Sequence, residues 1–281
     1  MSAVPGADAG DAGSGNEAAG RGPGDAAAGA GTGAGAGAGG ADAGADAGAG
    51  AGAGAGGAGA GAGAGAGDPS EVLGWALVIP VKAPTRGKSR LDVPGVDRVS
   101  LARAIALDTI AAAAACDQVE RVIVVTDDPQ LPLHAFDIPG LGFVDESDAG
   151  GLNEAITLGV ATARRAEGAR RCAVLLADVP ALRPADLSVA LRAAASVDRG
   201  VVADADGTGS TLVTAGRGIE WRSAFGDDSF ARHVSSGCTP LAVPAESTLR
   251  RDVDTAEHLT DAARLGLGPR TARIFASASP T

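Results

Sequence analysis

A cluster of basic residues follows the first apolar run of the chain. Residues 75–81 (WALVIPV) have the length and composition of a buried strand. The nine residues that come next hold four basic side chains around Gly87: Lys82, Arg86, Lys88 and Arg90. The formal net charge of the chain is −11, so this cluster contrasts with an acidic background. Because Lys and Arg bind phosphate oxygens by charge-assisted hydrogen bonds, and glycine lets backbone amides approach them, we predict a loop that binds a nucleoside triphosphate.

The spacing excludes a Walker A motif in this loop. Gly87-Lys88-Ser89 matches the end of that motif, but its first glycine would have to stand at position 82, which is Lys. A solvated loop that binds no ligand is the alternative.

Carboxylates follow a later apolar run and recur near the C-terminus. Asp178 stands in the sequence LADVP, and Asp252 and Asp254 stand one residue apart in DVDT. Rigid carboxylate oxygens are ligands that Mg²⁺ prefers. We therefore predict that Asp178 binds a metal ion together with Asp252 or Asp254. The alternatives are that Asp178 caps the following helix and that Asp254 is the N-cap of a helix over 254–264.

Three glycine-containing segments offer further contacts. In GGLN (150–153), Gly151 lets a base or ribose approach the backbone, and Asn153 can bond to its edge. The segments 207–211 (GTGST) and 225–230 (FGDDSF) hold hydroxyls and backbone amides without basic side chains, which suits a small anion such as phosphate or carboxylate. An ordinary turn is the alternative for each segment.

Strands and helices alternate along the chain. The predicted strands are 75–81, 121–125, 172–177, 199–204 and 210–214, with shorter ones near 141–144 and 240–243. The predicted helices are 99–115, 151–166, 184–196 and 254–264. Continuous apolar strands that alternate with helices indicate an α/β fold with a mostly parallel sheet and helices on both faces. The basic loop, Asp127-Asp128 and Asp178 all follow strand ends, so we expect them to converge at one edge of this sheet.

The N-terminal quarter of the chain differs from the rest. Residues 1–69 are dominated by Ala and Gly and contain no aromatic residue, so we predict a disordered low-complexity tail. Residues 70–275 suffice for one domain with a full core, and 276–281 are predicted to be a flexible C-terminus.

Composition and motifs exclude several classes of protein. We find no signal peptide and no membrane span, and the acidic balance argues against nucleic-acid binding, so we predict a soluble cytoplasmic protein. Three distant cysteines fit reduced thiols, with Cys172 in the core. The three histidines, at positions 134, 233 and 258, form no hydrolase triad and no zinc set.

Taken together, seven motifs give the chain a family resemblance. It resembles the phosphoenolpyruvate and 2-phospho-L-lactate guanylyltransferase family of coenzyme F-420 biosynthesis over residues 74–265. The motifs are PVK…GKSRL (80–91), VVTDD (124–128), GGLNEAI (150–156), LADVPAL (176–182), DGTGSTL (206–212), FGDDSFARH (225–233) and DVDT (252–255). Their order and spacing carry the likeness. Many relatives read Gly-Asp-Leu-Pro where this chain has Ala177-Asp178-Val179-Pro180.

The resemblance implies a fold, ligands and residue roles. The fold is a single-domain, Rossmann-like (GT-A-like) nucleotidyltransferase, akin to the molybdenum-cofactor guanylyltransferases, and the ligands are GTP and Mg²⁺. Phosphoenolpyruvate contacts map by motif onto Thr211, Gly226 and Ser229. The catalytic residues are expected to be Lys82, Lys88, Arg90 and Asp178, and the nucleotide contacts Lys82, Arg86, Gly87, Lys88, Gly151 and Asn153.

The implied reaction joins GTP and phosphoenolpyruvate to give enolpyruvoyl-2-diphospho-5′-guanosine and pyrophosphate. The sequence does not separate phosphoenolpyruvate from 2-phospholactate or 3-phosphoglycerate as acceptor. We expect transient transfer of the product to the downstream transferase of the pathway. Two alternatives stay open: another nucleotidyltransferase, with a cytidylyl or molybdopterin-guanine product, and an inactive nucleotide-binding or scaffold protein.

Overall fold

A computed structural model of the chain describes residues 74–83, 91–146, 150–167 and 171–278. The predicted tail lies outside this range. So do the loop residues Arg86, Gly87, Lys88 and Arg90, and their predicted roles stay predictions.

The described residues form seven strands and seven α-helices. The strands are β1 (Trp75–Val81), β2 (Val119–Thr126), β3 (Leu141–Asp145), β4 (Cys172–Leu175), β5 (Arg199–Ala203), β6 (Ser210–Ala215) and β7 (Thr239–Pro240). The helices are α1 (Arg98–Ala114), α2 (Leu131–His134), α3 (Leu152–Glu167), α4 (Pro184–Ala194), α5 (Ser229–Ser235), α6 (Ala256–Leu265) and α7 (Pro269–Ala278), with a 3-10 helix over Thr248–Arg250.

The sheet is mostly parallel, as predicted. Among the described residues, the strand order is β3-β2-β1-β4-β6-β5-β7. Strands β1 to β4 pair in parallel, and so do β5 and β7, whereas β6 runs antiparallel to both of its neighbours. The start of β6 therefore lies at the edge where β1, β2 and β4 end. The sequence carries a signal for this reversal that the prediction did not use: β5 and β6 follow each other without a helix, which is typical of an antiparallel pair.

Alternate residues of β1 face opposite layers of the core. Trp75, Leu77 and Ile79 pack in a layer shared with residues of α1 and α4. Ala76 and Val78 pack in a layer shared with residues of α3. All of them are buried, which explains why the strand reads as a continuous apolar run. The prediction of helices on both faces is thus confirmed.

The last two helices differ from the sequence prediction. Thr255, not Asp254, caps α6, because its side chain accepts from the amide of His258. Asp254 is exposed. A further helix, α7, follows and continues through Ala278, so the predicted flexible C-terminus is helical over residues 276–278.

Helix α7 is attached to α1 by a buried carboxylate. Asp108 accepts hydrogen bonds from the amides of Arg270, at 3.2 Å, and Thr271, at 2.7 Å. These amides lie in the first turn of α7, where they have no partner within the helix. The capping group lies more than 160 residues away along the chain, so local sequence around residue 269 gives no cap signal for this helix.

The close packing of α3 on the sheet yields a first prediction. A Cβ at Gly159 would lie 2.5 Å from Val78 Cγ1 and 2.6 Å from Val125 Cγ2. Gly159→Ala should therefore lower the free energy of unfolding by about 1–3 kcal/mol, although alanine favours helix. Urea unfolding would measure this, with Thr157→Ala, an exposed change in the same helix, as control. Equal stability of the two variants would contradict the packing argument.

Candidate active site

The residues predicted to act together converge at the edge of the sheet where β1, β2 and β4 end. The amide of Leu176, just after β4, donates to the carbonyl of Thr211 in β6 at 3.0 Å. Asp178 follows two residues later. The antiparallel course of β6 thus brings a predicted acceptor contact, Thr211, next to a predicted metal ligand.

A backbone hydrogen bond brings the two acidic segments together. The amide of Val253 donates to the carbonyl of Asp178 at 2.8 Å, which places Asp252 and Asp254 beside Asp178. Burial, followed by the negative charges of Asp178, Asp204 and Asp254, raises the pKa of Asp252 to about 7. Asp252 is half-buried whereas Asp254 is exposed. This electrostatic contact favours Asp252 over Asp254 as the partner of Asp178.

The predicted metal set stays a prediction. Within the described ranges, no group of three or more His, Cys, Asp or Glu side chains is arranged to hold a metal ion. Proteins usually bind Mg²⁺ through only one or two carboxylates, with substrate phosphates and water as the other ligands. Two carboxylates are therefore enough for the predicted site.

A pocket of about 190 Å³ lies between the ends of β1 and β4 and helix α1. Its wall is apolar, with Leu131, Leu152 and Leu176 among the lining residues. Charged side chains of both signs also line it: Lys82, Arg103, Asp128 and Asp178. An apolar wall with a few charged groups suits a nucleotide, and Asp178 reaches both this pocket and the acidic segment.

Lys82 forms an ion pair with a carboxylate that the sequence analysis did not single out. Its Nζ lies 2.6 Å from Oε1 of Glu146, the residue that follows β3, and the Glu146 side chain is fully buried. Burial raises the pKa of Glu146, while the hydrogen bond and charge of Lys82 lower it. The acidic run 145–148 was the available signal. Nearby, Asp127 Oδ1 accepts from the amide of Ala83 at 2.6 Å and fixes the start of the basic loop.

Arg103 of α1 is a second cation in the pocket that sequence reasoning missed. Its Nη2 donates to Asp128 Oδ2 at 3.2 Å. Its Nε is buried and has no hydrogen-bond partner among the described residues. A single arginine on a helix face has no local motif, so only its position in the fold identifies it.

The three predicted acceptor contacts lie on β6 and around the start of α5. Thr211 is buried, and its Oγ1 has no partner in the part of the chain that the structure describes. Gly226 has φ +120°, a conformation that favours glycine, and its carbonyl accepts from the amide of Ser229 at 3.1 Å. The side chain of Ser229 is buried.

Of the two interpretations of segment 207–211, the turn describes the amides of residues 207–209. Asp204 Oδ1 accepts from the amides of Gly207, at 2.6 Å, and Thr208, at 3.0 Å, and its Oδ2 accepts from Gly209, at 2.6 Å. The loop wraps around a carboxylate of its own chain, so these amides are already satisfied. The sequence analysis gave a turn as the alternative here, but it did not single out Asp204, whose side chain bonds the amides of the turn.

Asn153 is held by residues 223–225, which precede the predicted acceptor contact Gly226. Its Oδ1 accepts from Ser223 Oγ, at 2.6 Å, and from the amide of Phe225, at 3.0 Å. Its Nδ2 donates to the carbonyl of Phe225 at 3.0 Å. The predicted contact of Asn153 with the nucleotide stays a prediction, limited to its remaining N–H. Gly151 precedes α3, and its predicted contact is likewise untested.

His233 holds the same segment from α5. Its Nε2 accepts from the amide of Ala224 at 3.1 Å, so Nδ1 carries the proton and donates to Ser210 Oγ at 3.1 Å. Its ring meets Phe225 edge-on, with centroids 4.8 Å apart. Trp221 lies just before this segment. Its indole packs against the α3 side of the core, and its Nε1 is buried without a partner among the described residues.

Comparison with known proteins identifies the family of the chain. The family model described as "Guanylyl transferase CofC like" matches residues 75–261. The chain belongs to this family. The phosphoenolpyruvate guanylyltransferase of Streptomyces coelicolor is 47% identical over 204 residues, which are 72% of this chain and 96% of that protein. The protein of the same name from Thermomonospora curvata is 47% identical over 208 residues, 73% and 90% of the two chains.

The family match confirms the resemblance inferred from the seven motifs, over nearly the same residues. A solved structure titled a nucleotidyl transferase, from Methanothermobacter thermautotroptrophicus, aligns with a TM-score of 0.48 at 18% identity, covering 68% of this chain and 97% of that one. Among the described residues of this CofC-like chain, every helix is too short or too polar to cross a lipid bilayer.

Burial of His233 predicts a pH effect on stability. Burial lowers the pKa of His233 to about 4 from an ordinary value near 6.5, so the unfolded chain binds the extra proton first. Stability from this residue is complete above about pH 6.5 and falls as the pH drops towards 4, by about 3 kcal/mol. Urea unfolding at pH 7 and pH 4.5 should show a larger loss for the native chain than for His233→Gln. Equal losses would exclude this role.

Proposed function

We propose that the chain transfers the guanylyl group of GTP to phosphoenolpyruvate, giving enolpyruvoyl-2-diphospho-5′-guanosine and pyrophosphate. The observation that carries the proposal is the position of Asp178, between the pocket at the ends of β1 and β4 and the segment that holds Thr211. The names of the relatives at 47% identity support the same acceptor. We further propose that this is a cytoplasmic step of coenzyme F-420 biosynthesis, with transfer of the product to a downstream transferase.

The reaction forms a bond between an acceptor phosphate oxygen and the α-phosphorus of GTP and breaks the bond to pyrophosphate. The attacking oxygen is already anionic at neutral pH, so no general base is required. This fits the described site, where the one histidine beside the predicted acceptor residues is His233. Its ring is neutral, and both of its nitrogens are already hydrogen-bonded, to Ala224 and Ser210. The chain must instead bring anions together and hold them in line.

In this proposal, lysine and arginine side chains of the chain bind the phosphates of GTP. Lys82 and Arg103 line the pocket, and Lys88 and Arg90 belong to the loop that begins at the Asp127–Ala83 hydrogen bond. A phosphate oxygen would compete with Glu146 for the ammonium of Lys82. It would also accept from the Arg103 Nε–H, which has no partner in the described ranges.

The acidic pair fits a divalent cation. Asp178 and Asp252 lie close enough for the charge of one to raise the pKa of the other, and a bound cation would relieve this repulsion. Mg²⁺ would supply charge neutralisation between the phosphates. Asp178 and Asp252 would hold it, and Asp254 is too exposed to be favoured.

The decisive experiment measures pyrophosphate release from GTP and Mg²⁺ with each acceptor in turn. The downstream transferase and its deazaflavin acceptor draw off the product. Release with phosphoenolpyruvate alone supports the proposal, and release with 2-phospholactate alone changes the acceptor. GTP binding without release would overturn it, and release from another nucleotide triphosphate would indicate a different transferase.

Removing the charge of Asp178 should abolish most activity. We expect Asp178→Asn to lower turnover by about 100-fold or more, because a charge placed for the transition state is lost. The matched control is Asp117→Asn, which removes an exposed carboxylate at the opposite edge of the sheet. Steady-state pyrophosphate release at saturating Mg²⁺ would measure both. Near-normal turnover of Asp178→Asn would refute the metal assignment.

Loss of the Thr211 hydroxyl should weaken binding of the acceptor only. Thr211→Val keeps the shape of the side chain and removes the buried hydroxyl, so KM for phosphoenolpyruvate should rise about 10-fold or more while KM for GTP stays unchanged. Thr214→Val is the control in the same strand. There the lost hydroxyl bonds the amide of Gly200, at 3.0 Å, so stability should fall without a change in acceptor KM. Equal acceptor KM in both variants would contradict the assignment.

A further inference from the structure

The acceptor segment, residues 223–225, is held from two sides by side chains of two different helices. Asn153 of α3 makes three hydrogen bonds to it, through Ser223 Oγ and both backbone groups of Phe225. His233 of α5 accepts from the amide of Ala224 on the other side. A short irregular segment is normally mobile, and four hydrogen bonds to two packed side chains remove that freedom.

This segment leads directly into the predicted acceptor contacts. Gly226 follows it, and the Gly226 carbonyl bonds to the amide of Ser229 at 3.1 Å. Ser229 begins α5, the helix that carries His233. The segment, Gly226, Ser229 and His233 therefore form a closed loop of contacts. Any shift of the segment must move Gly226 and Ser229 with it.

Asn153 joins this loop to the nucleotide side of the site. It stands in the first turn of α3, next to Leu152, which lines the nucleotide pocket. Its side chain bonds to the acceptor segment, where its Oδ1 accepts two hydrogen bonds and its Nδ2 donates one. Only one N–H of the amide is left for any other group.

We propose that Asn153 is a positioning residue for the acceptor: through residues 223–225 it holds Gly226 and Ser229 in the geometry that binds the acceptor anion. The inference rests on the proposed function for the identity of that anion. It reassigns Asn153 from a nucleotide contact to a support of the acceptor loop, and His233 acts with it from the opposite side.

Kinetics separate the two roles of Asn153. Asn153→Ala should raise KM for phosphoenolpyruvate about 10-fold, the effect of roughly 1.4 kcal/mol of lost hydrogen bonding, and leave KM for GTP within about twofold. Thr157→Ala, one turn along the same helix, should change neither KM, because among the described residues the Thr157 hydroxyl donates only to the Asn153 carbonyl. A rise in KM for GTP with an unchanged KM for phosphoenolpyruvate would overturn the proposal.

A smaller change guards against a variant that fails to fold. Ser223→Ala removes one of the three hydrogen bonds to Asn153 and leaves the backbone bonds in place. KM for phosphoenolpyruvate should rise about threefold, between the native value and that of Asn153→Ala. An unchanged KM for phosphoenolpyruvate in Ser223→Ala, whether or not Asn153→Ala folds, would overturn the proposal.

Hydrogen exchange tests the support without any substrate. In Asn153→Ala the amides of residues 225–229 should exchange at least 10-fold faster than in the native chain, while those of β1 stay unchanged. Equal exchange at 225–229 would overturn the inference. If the native chain releases no pyrophosphate with any acceptor, the proposed function fails, and the exchange rates still decide whether Asn153 holds the loop.

Discussion

The reversed direction of β6 is the constraint on which the site depends. In a fully parallel sheet the start of each strand lies far from the functional edge, at the opposite end. Here β6 runs against β4, and the bond from the Leu176 amide to the Thr211 carbonyl joins the start of one strand to the end of the other. The pocket and Asp178 thereby lie next to Thr211, one of the predicted acceptor contacts. Under the proposed function, the reversal lets one edge of the sheet bind two anions.

Charge in this site is arranged as internal pairs. Lys82 is matched by the buried Glu146, and Arg103 by Asp128. The loop after β5 closes around Asp204, so its amides do not attract an external anion. The affinity of such a site for a substrate anion is the difference in free energy between the ion pairs made with the substrate and the internal pairs that they replace. The internal pairs keep the cations in place, but a substrate phosphate binds them more weakly than it would bind unpaired cations.

The sequence predicted those parts of the molecule whose cause is local. Continuous apolar runs located β1 and the other long strands, and loops after strand ends located Lys82 and Asp178 at one edge. What it missed depends on partners far along the chain. Helix α7 is capped by Asp108, the pocket contains Arg103 of α1, and Asn153 bonds to residues some 70 positions away. The misplaced N-cap at Asp254 had another cause, since Asp and Thr stand side by side and both cap helices well.

The position of the two indoles determines what the fluorescence of this protein reports. The chain has two tryptophans and no tyrosine, so its emission comes almost wholly from Trp75 and Trp221. Trp75 is buried in the layer against α1 and α4, whereas Trp221 packs on the opposite layer, just before the acceptor segment. A denaturation curve followed by fluorescence therefore adds the melting of the core to any local opening of residues 221–225. If the midpoint of that curve differs from the midpoint of a curve followed by circular dichroism, the acceptor segment unfolds as a separate cooperative unit.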